Sequence, residues 1–406
     1  MNASPLATAS RPAGPSQALA AFSLALLLGL QPVTTDVYLP ALPLLQRELG
    51  AGMAATQLTL SALILSFGLA QMVWGPLADR FGRRPVLLVG LSLYTLASTG
   101  CTLASSMEGL VVWRVLQGAA LASAVVVARA VIRDLYEPVQ GAHVMALAMT
   151  GLGLIALLSP LLGGLLAAAS GWRAALTVVT LTGAATLVFI TLRLPETLAQ
   201  PNRRALNPGS LLRSWGRIAG NPTFRAWGLL VACSYGGLFT LLAGSSFVYI
   251  DVLGISPAVY GAAMALGSLS YIAGTLACRC WIRSMGMRGT VRRGAWFTLG
   301  AGALAAALAL ADVQAIWAVL VPHLLFLFGH GQHQPCAQAG VVAPFAHAAG
   351  AASALAGLLL ALVAFGIGRW LGVALDGTAR PLMLALAFWS AWTCVVAWTQ
   401  VPREPA

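Results

Sequence analysis

Lysine is missing from this chain, and charge of either sign is scarce. All 23 basic residues are arginine, acidic residues number 11, and charged residues make up 8% of the 406 positions. Soluble globular domains carry about 25% charged residues, so an ordinary soluble fold is excluded. No stretch between apolar runs reaches 30 residues, which leaves no room there for a soluble catalytic domain. The chain lacks G-x-x-x-x-G-K-[ST], so it does not itself draw on ATP. G-x-S-x-G and H-E-x-x-H are absent too, which argues against a hydrolase. No C-x-x-C occurs; the six cysteines lie mostly in apolar runs, as buried thiols rather than an extracellular disulfide framework.

What remains is apolar. Hydrophobic residues are 59% of the chain and mean hydropathy is +0.85, which fits an integral membrane protein of twelve spans. Apolar runs bounded by Gly, Pro and charge place them at 18–40, 53–77, 85–105, 109–132, 143–168, 172–193, 223–249, 257–282, 290–311, 314–340, 350–372 and 380–401. The net charge of +12 is no sign of nucleic-acid binding, because the arginines are sorted across the membrane. Eighteen fall at one set of span ends, four (Arg47, Arg173, Arg369, Arg380) at the other, and Arg114 within a span. By the positive-inside rule the richer side and both termini are cytoplasmic.

The organisation expected is an all-α membrane protein with two six-helix halves, 18–193 and 223–401. Residues 1–17 read as a disordered cytoplasmic tail rather than a cleaved signal, and 402–406 as a second tail. The linker 194–222 holds Leu211, Leu212, Trp215 and Ile218 at helical spacing opposite Arg213 and Arg217, a short amphipathic helix for the inner leaflet. A weak repeat relates Gly75–Arg84, after the second span, to the Gly274–Arg293 region at an offset near 200.

Gly75-Pro-Leu-Ala-Asp-Arg-Phe-Gly-Arg-Arg84 is a charged turn between two membrane-length runs. Gly75 and Gly82 allow tight backbone geometry, Asp79 can sit against arginine or a helix N-terminus, and Arg80, Arg83 and Arg84 hold the turn on the wet side. The run resembles the G-x-L-a-D-r-x-G-r-R signature of the major facilitator superfamily, which implies that fold and a role for these residues in conformational gating.

Asp36 is the one acid placed at membrane depth, in Thr35-Asp-Val-Tyr-Leu-Pro40 near the outer end of the first span. An ionised carboxylate there costs several kcal/mol unless it is paired, protonated or wet. A protonatable carboxylate is what proton coupling needs; a cap-like residue near the interface is the plainer alternative. Pro32 and Pro40 flank it and favour a broken, cavity-lining helix end. Arg114 lies at a matching depth in the fourth span, roughly 6–8 Å below the outer surface. It either tunes Asp36 or clamps a carbonyl. Trp113-Arg-Val-Leu-Gln-Gly118 resembles the superfamily's R-x-x-Q-G element, which implies a part for Arg114 in proton transfer.

In the fifth span, Gly151-Leu-Gly-Leu-Ile-Ala-Leu-Leu-Ser-Pro-Leu-Leu-Gly-Gly164 resembles the g-x-x-x-G-P-x-x-G-G element of drug/proton antiporters, with Ser159 before Pro160 in place of the usual Gly. Gly163 and Gly164 allow close packing and Pro160 a kink, so these residues are read as hinge and seal. In the tenth span His330, His333 and Cys336 recur at i, i+3, i+6. No acid lies near them and Pro335 disturbs the helix, so a polar substrate-lining face is favoured over a metal. The runs His330-Gly-Gln-His-Gln-Pro-Cys-Ala-Gln-Ala-Gly340, Ala349-Gly-Ala-Ala-Ser-Ala354 and Thr35–Pro43 resemble Bcr/CflA-type drug-resistance transporters. That resemblance implies proton-driven export of bicyclomycin, sulfonamide or amphenicol types across a bacterial inner membrane, without cofactor or metal, by a monomer. Tyr38, Gln117, His330, His333, Gln334 and Gln338 are the cavity candidates. A transporter of a small metabolite such as an amino acid, on the same fold, is the alternative.

Overall fold

The computed structural model describes residues 16–203 and 205–402. Most of the expected tails, with Arg11, Arg204 and Arg403, lie outside the described residues. All regular structure among the described residues is helical. The first half runs α1 (Gln17–Asp36), α2 (Leu42–Glu48), α3 (Met53–Phe81), α4 (Arg83–Leu103), α5 (Met107–Leu135), α6 (Pro138–Ser170) and α7 (Trp172–Arg193). After the linker helix α8 (Pro208–Gly220) come α9 (Pro222–Phe247), α10 (Pro257–Leu310), α11 (Ile316–Val342), α12 (Ala349–Ala374) and α13 (Arg380–Thr399).

Local chemistry sets the ends. Asn207 and Asn221 accept hydrogen bonds from Ser210 N and Phe224 N at 3.2 and 3.1 Å, each just before a proline that starts α8 or α9. The first span does not run straight to residue 40: α1 stops at Asp36, and a 3-10 turn at Leu39–Ala41 leads into α2. Pro40 at the start of that turn explains the break.

Among the described residues, ten helical stretches are long and apolar enough to cross a membrane. One of them, α10, is two successive spans, because Gly286 at φ +67° interrupts it. With the proline- and histidine-containing α11, the total is the expected twelve. The eighth and ninth spans therefore meet at one glycine and not through a 283–289 loop. Gly286 matches Gly82, at φ +103° between α3 and α4, so the repeat is seated at an offset of 204 residues. Gly274, the other end of the repeat read from sequence, lies within a helix against the Phe328 backbone.

Within the first half α1 packs on α6, α3 on α5, and α4 on α5 and α7; within the second, α9 and α10 each pack on α11 and α13. The halves meet along α3–α12 and α6–α10. Small residues line both seams: Gly68 against Gly357 and Ala361, Gly368 against Ser61, Gly372 against Ala54, and Gly164 against Gly261. Without water to drive burial in lipid, such close backbone approach is a main source of helix association. The linker helix rests on protein through Ile218, which is buried among Phe224 and Trp227, while Leu212 is 64% exposed. Of the four apolar residues expected on one face of α8, only Ile218 is buried.

Candidate functional site

Asp36 ends α1 at the arginine-poor side of the bundle, half-buried, and accepts a hydrogen bond from Thr35 Oγ1 at 2.7 Å. Among the described residues no arginine pairs with it. Arg114 instead grips α1 on either side of it. Its Nη1 donates to Thr34 O at 3.3 Å and to Gln117 Oε1 at 3.0 Å, and its guanidinium lies 3.7 Å over the Tyr38 ring. Helical period explains the separation. Thr34 and Tyr38, four residues apart, share a face, while Asp36 is turned about 200° from Thr34. These contacts tie Arg114 to a carbonyl and an aromatic ring inside the first half. Asp36 is turned away from Arg114, just before the Leu39–Ala41 turn, which packs on α9 and α10 of the other half.

The six cavity candidates do not share one wall. Tyr38 is buried, its hydroxyl 2.7 Å from Thr59 Oγ1. Gln117 is buried between α4 and α5, donating to Ser98 Oγ at 2.7 Å. His330 Nδ1 lies 2.7 Å from Ser234 Oγ of α9, and its ring sits between Tyr271 and Phe326. His333 Nε2 lies 3.1 Å from Thr298 Oγ1 of α10, and Cys336 Sγ lies 3.6 Å from Cys278 Sγ. Three residues advance a helix by about 300°, so the i, i+3, i+6 spacing aims these side chains at three different neighbours. Gln334 and Gln338 are partly exposed.

The arginine-rich turn after α3 is a closed network. Arg83 donates to Asp134 Oδ2 at 2.8 Å and Asp79 Oδ1 at 2.5 Å; Arg84 donates to the Leu194 and Thr191 carbonyls; Arg80 donates to Arg203 O at 2.8 Å. Glu196, from the linker, accepts from Arg83 N and Arg84 N at 2.9 and 3.1 Å and so caps α4 from outside the helix. A Cβ on Gly82 would stand 2.6 Å from that carboxylate, a second reason for glycine there besides its positive φ. Gly75 lies inside α3. The partners Asp134 and Glu196 were not anticipated; the only signal was an acid next to each arginine-rich span end.

At the opposite side the halves are closed on each other. Arg47 pairs with Asp251 across the seam, and Gln57 Nε2 donates to Ala243 O at 2.8 Å. Gly164 lies against Pro257 and Gly261, and the Pro160 carbonyl approaches Gly261. Gly163 faces inward on the Val37 backbone, and Ser159 Oγ returns to Ile155 O at 2.7 Å.

Two six-helix halves that close on each other at one membrane face, with Asp36 near the junction and paired with no cation among the described residues, are an architecture of membrane transporters. The Major Facilitator Superfamily model matches residues 21–368, and the chain belongs to that superfamily of transporters, as a multi-pass membrane protein and not an enzyme. It is 31% identical over 348 residues to the Multidrug resistance protein D of Escherichia coli (strain K12), covering 82% of this chain and 83% of that one. It is 30% identical over 241 residues to the Bicyclomycin resistance protein homolog of Haemophilus influenzae, covering 59% of this chain and 60% of that one. The crystal structure of a human organic anion transporter superposes with TM-score 0.70 at 21% identity over 95% of this chain and 99% of that one, a likeness of fold.

Proposed function

We propose that the chain exports small drugs or antibiotics across a bacterial inner membrane in exchange for protons. The observation that carries this reading is Asp36, a half-buried carboxylate without a cation partner among the described residues, at the junction of the halves. Open to the outside, it takes up a proton. The halves rock about the 194–222 linker, the arginine-poor seam closes as in this structure, and the proton is released inward as drug is taken up for export. One proton per cycle is the simplest stoichiometry, with about 1.4 kcal/mol available per pH unit and about 2.3 kcal/mol per 100 mV for each net charge moved. Arg114 holds the α1 backbone around Asp36. The Asp79–Arg83–Asp134–Glu196 network and the Ser159–Gly164 segment gate the two ends.

The substrate class rests on the names of the relatives in Escherichia coli and Haemophilus influenzae and on the resemblance of the first, fifth and tenth spans to drug/proton antiporters. Tyr38, Gln117, His330, His333, Gln334 and Gln338 remain the proposed polar lining, reached once the halves move. The test uses inside-out vesicles with a pH-sensitive dye inside. Amphenicol, bicyclomycin and sulfonamide compounds are added singly. Proton release driven by one of them supports drug export; release driven only by amino acids or other metabolites replaces it with the metabolite reading.

A further inference from the structure

We propose that the arginine-rich end of the second half holds the headgroup of an anionic phospholipid, in the cleft between α13 and the part of α10 that follows Gly286. The cleft has a volume of about 370 Å³ and is lined by Arg292, Arg293, Trp296 and Trp398. Its frame is preset. Trp398 Nε1 donates to Arg292 O at 3.1 Å, and the Trp296 and Trp398 ring centroids are 4.9 Å apart. The Arg293 guanidinium lies 4.3 Å over the Trp281 ring. Trp296 is 65% exposed, and both arginine side chains reach the surface.

The repeat shows how this cleft differs from its counterpart in the first half. In the first half, Arg83 is neutralised by Asp79 and Asp134, and Glu196 closes the turn. In the second half, Arg283 stands 204 residues beyond Asp79 and repeats the position with reversed charge. Helices α10, α11 and α13 contain no acid at all, while α10 carries Arg279, Arg283, Arg288, Arg292 and Arg293. Among the described residues no ion pair involves Arg292 or Arg293; the acid nearest to α13 in sequence, Glu404, is outside them. A cluster of arginines at the membrane surface without internal acids attracts anionic lipid, and the guanidinium fork fits a phosphate. The paired tryptophans supply the flat apolar surface that sits at headgroup level. A free phosphate would neutralise the arginines and leave those rings bare; a phospholipid covers both, which commits the site to lipid. None of this depends on which solute is carried.

The test is native mass spectrometry of the full chain in detergent, titrated with dioleoyl phosphatidylglycerol or dioleoyl phosphatidylcholine. The wild type should retain phosphatidylglycerol about tenfold better, and Arg292→Gln/Arg293→Gln should remove most of that preference. Arg213→Gln/Arg217→Gln, on α8, should leave it intact. Equal retention of the two lipids by the wild type overturns the proposal without recourse to any variant. So does full retention by the Arg292→Gln/Arg293→Gln protein. Displacement of phosphatidylglycerol by millimolar inorganic phosphate would make this a free-phosphate site and also overturn it.

Discussion

Adding one methyl group at Gly164 should shift the transporter away from the closed seam without unfolding it. A Cβ at Gly164 would stand 2.5 Å from Pro257 O and 3.2 Å from the Ala258 and Gly261 Cα atoms, where ordinary contacts begin at 3.4 Å. These neighbours are backbone on α10, so no side chain can swing aside. The seam must open by about 1 Å, and overpacking of this kind costs about 1–3 kcal/mol. If α6 and α10 separate at this end in the alternate state, the cost falls on one conformation only, a shift of roughly 5- to 150-fold in their ratio. The assay is cross-linking of an Arg47→Cys/Asp251→Cys pair by a short bifunctional thiol reagent, with the exposed Cys280 replaced. Gly164→Ala should lower the yield sharply. Gly153→Ala, on the same helix with open space around it, should not. Gly163→Ala should act differently, because its Cβ would strike the Val37 backbone within the same half and so cost stability in both states. Unchanged cross-linking in Gly164→Ala would refute the claim that this contact forms the seal.

Other substitutions test the arginine-rich end and the ion pair across the seam. Arg83→Gln leaves Asp79 and Asp134 without their cation and should cost about 2–3 kcal/mol, below the fully buried range because Asp79 is half exposed; thermal unfolding in detergent reads this. Glu196→Ala removes the carboxylate that caps α4 and should cost about 1–2 kcal/mol in the same measurement. Arg47→Glu should shift cross-seam distances measured by spin-label spectroscopy by less than about fivefold in population, because Arg47 is largely exposed. Adding Asp251→Arg should reverse that shift.

The twelve spans and the placement of the charged turns were legible because lipid demands long apolar runs and leaves charge only at their ends. The Asn-Pro pairs at 207–208 and 221–222 are local signals that start α8 and α9, and they went unread. Gly286 escaped notice because a single residue at positive φ can join two spans without a polar loop. Contacts between distant residues were not legible at all. Glu196 meets Arg83 across 113 positions and Asp134 meets it across 51, and no local pattern encodes either. The facing of Asp36 was within reach of sequence reasoning, since the same period that puts Thr34 and Tyr38 against Arg114 turns Asp36 away. The divergence of His330, His333 and Cys336 follows from that geometry as well.

The most direct measurement compares wild type with Asp36→Asn in proteoliposomes, for a drug that the wild type exchanges for protons. Two modes are followed: uphill drug movement driven by a pH gradient, and drug-for-drug exchange without one. Proton coupling at Asp36 predicts that the variant loses the first and keeps the second. Full gradient-driven transport by Asp36→Asn would contradict it and remove Asp36 from the mechanism.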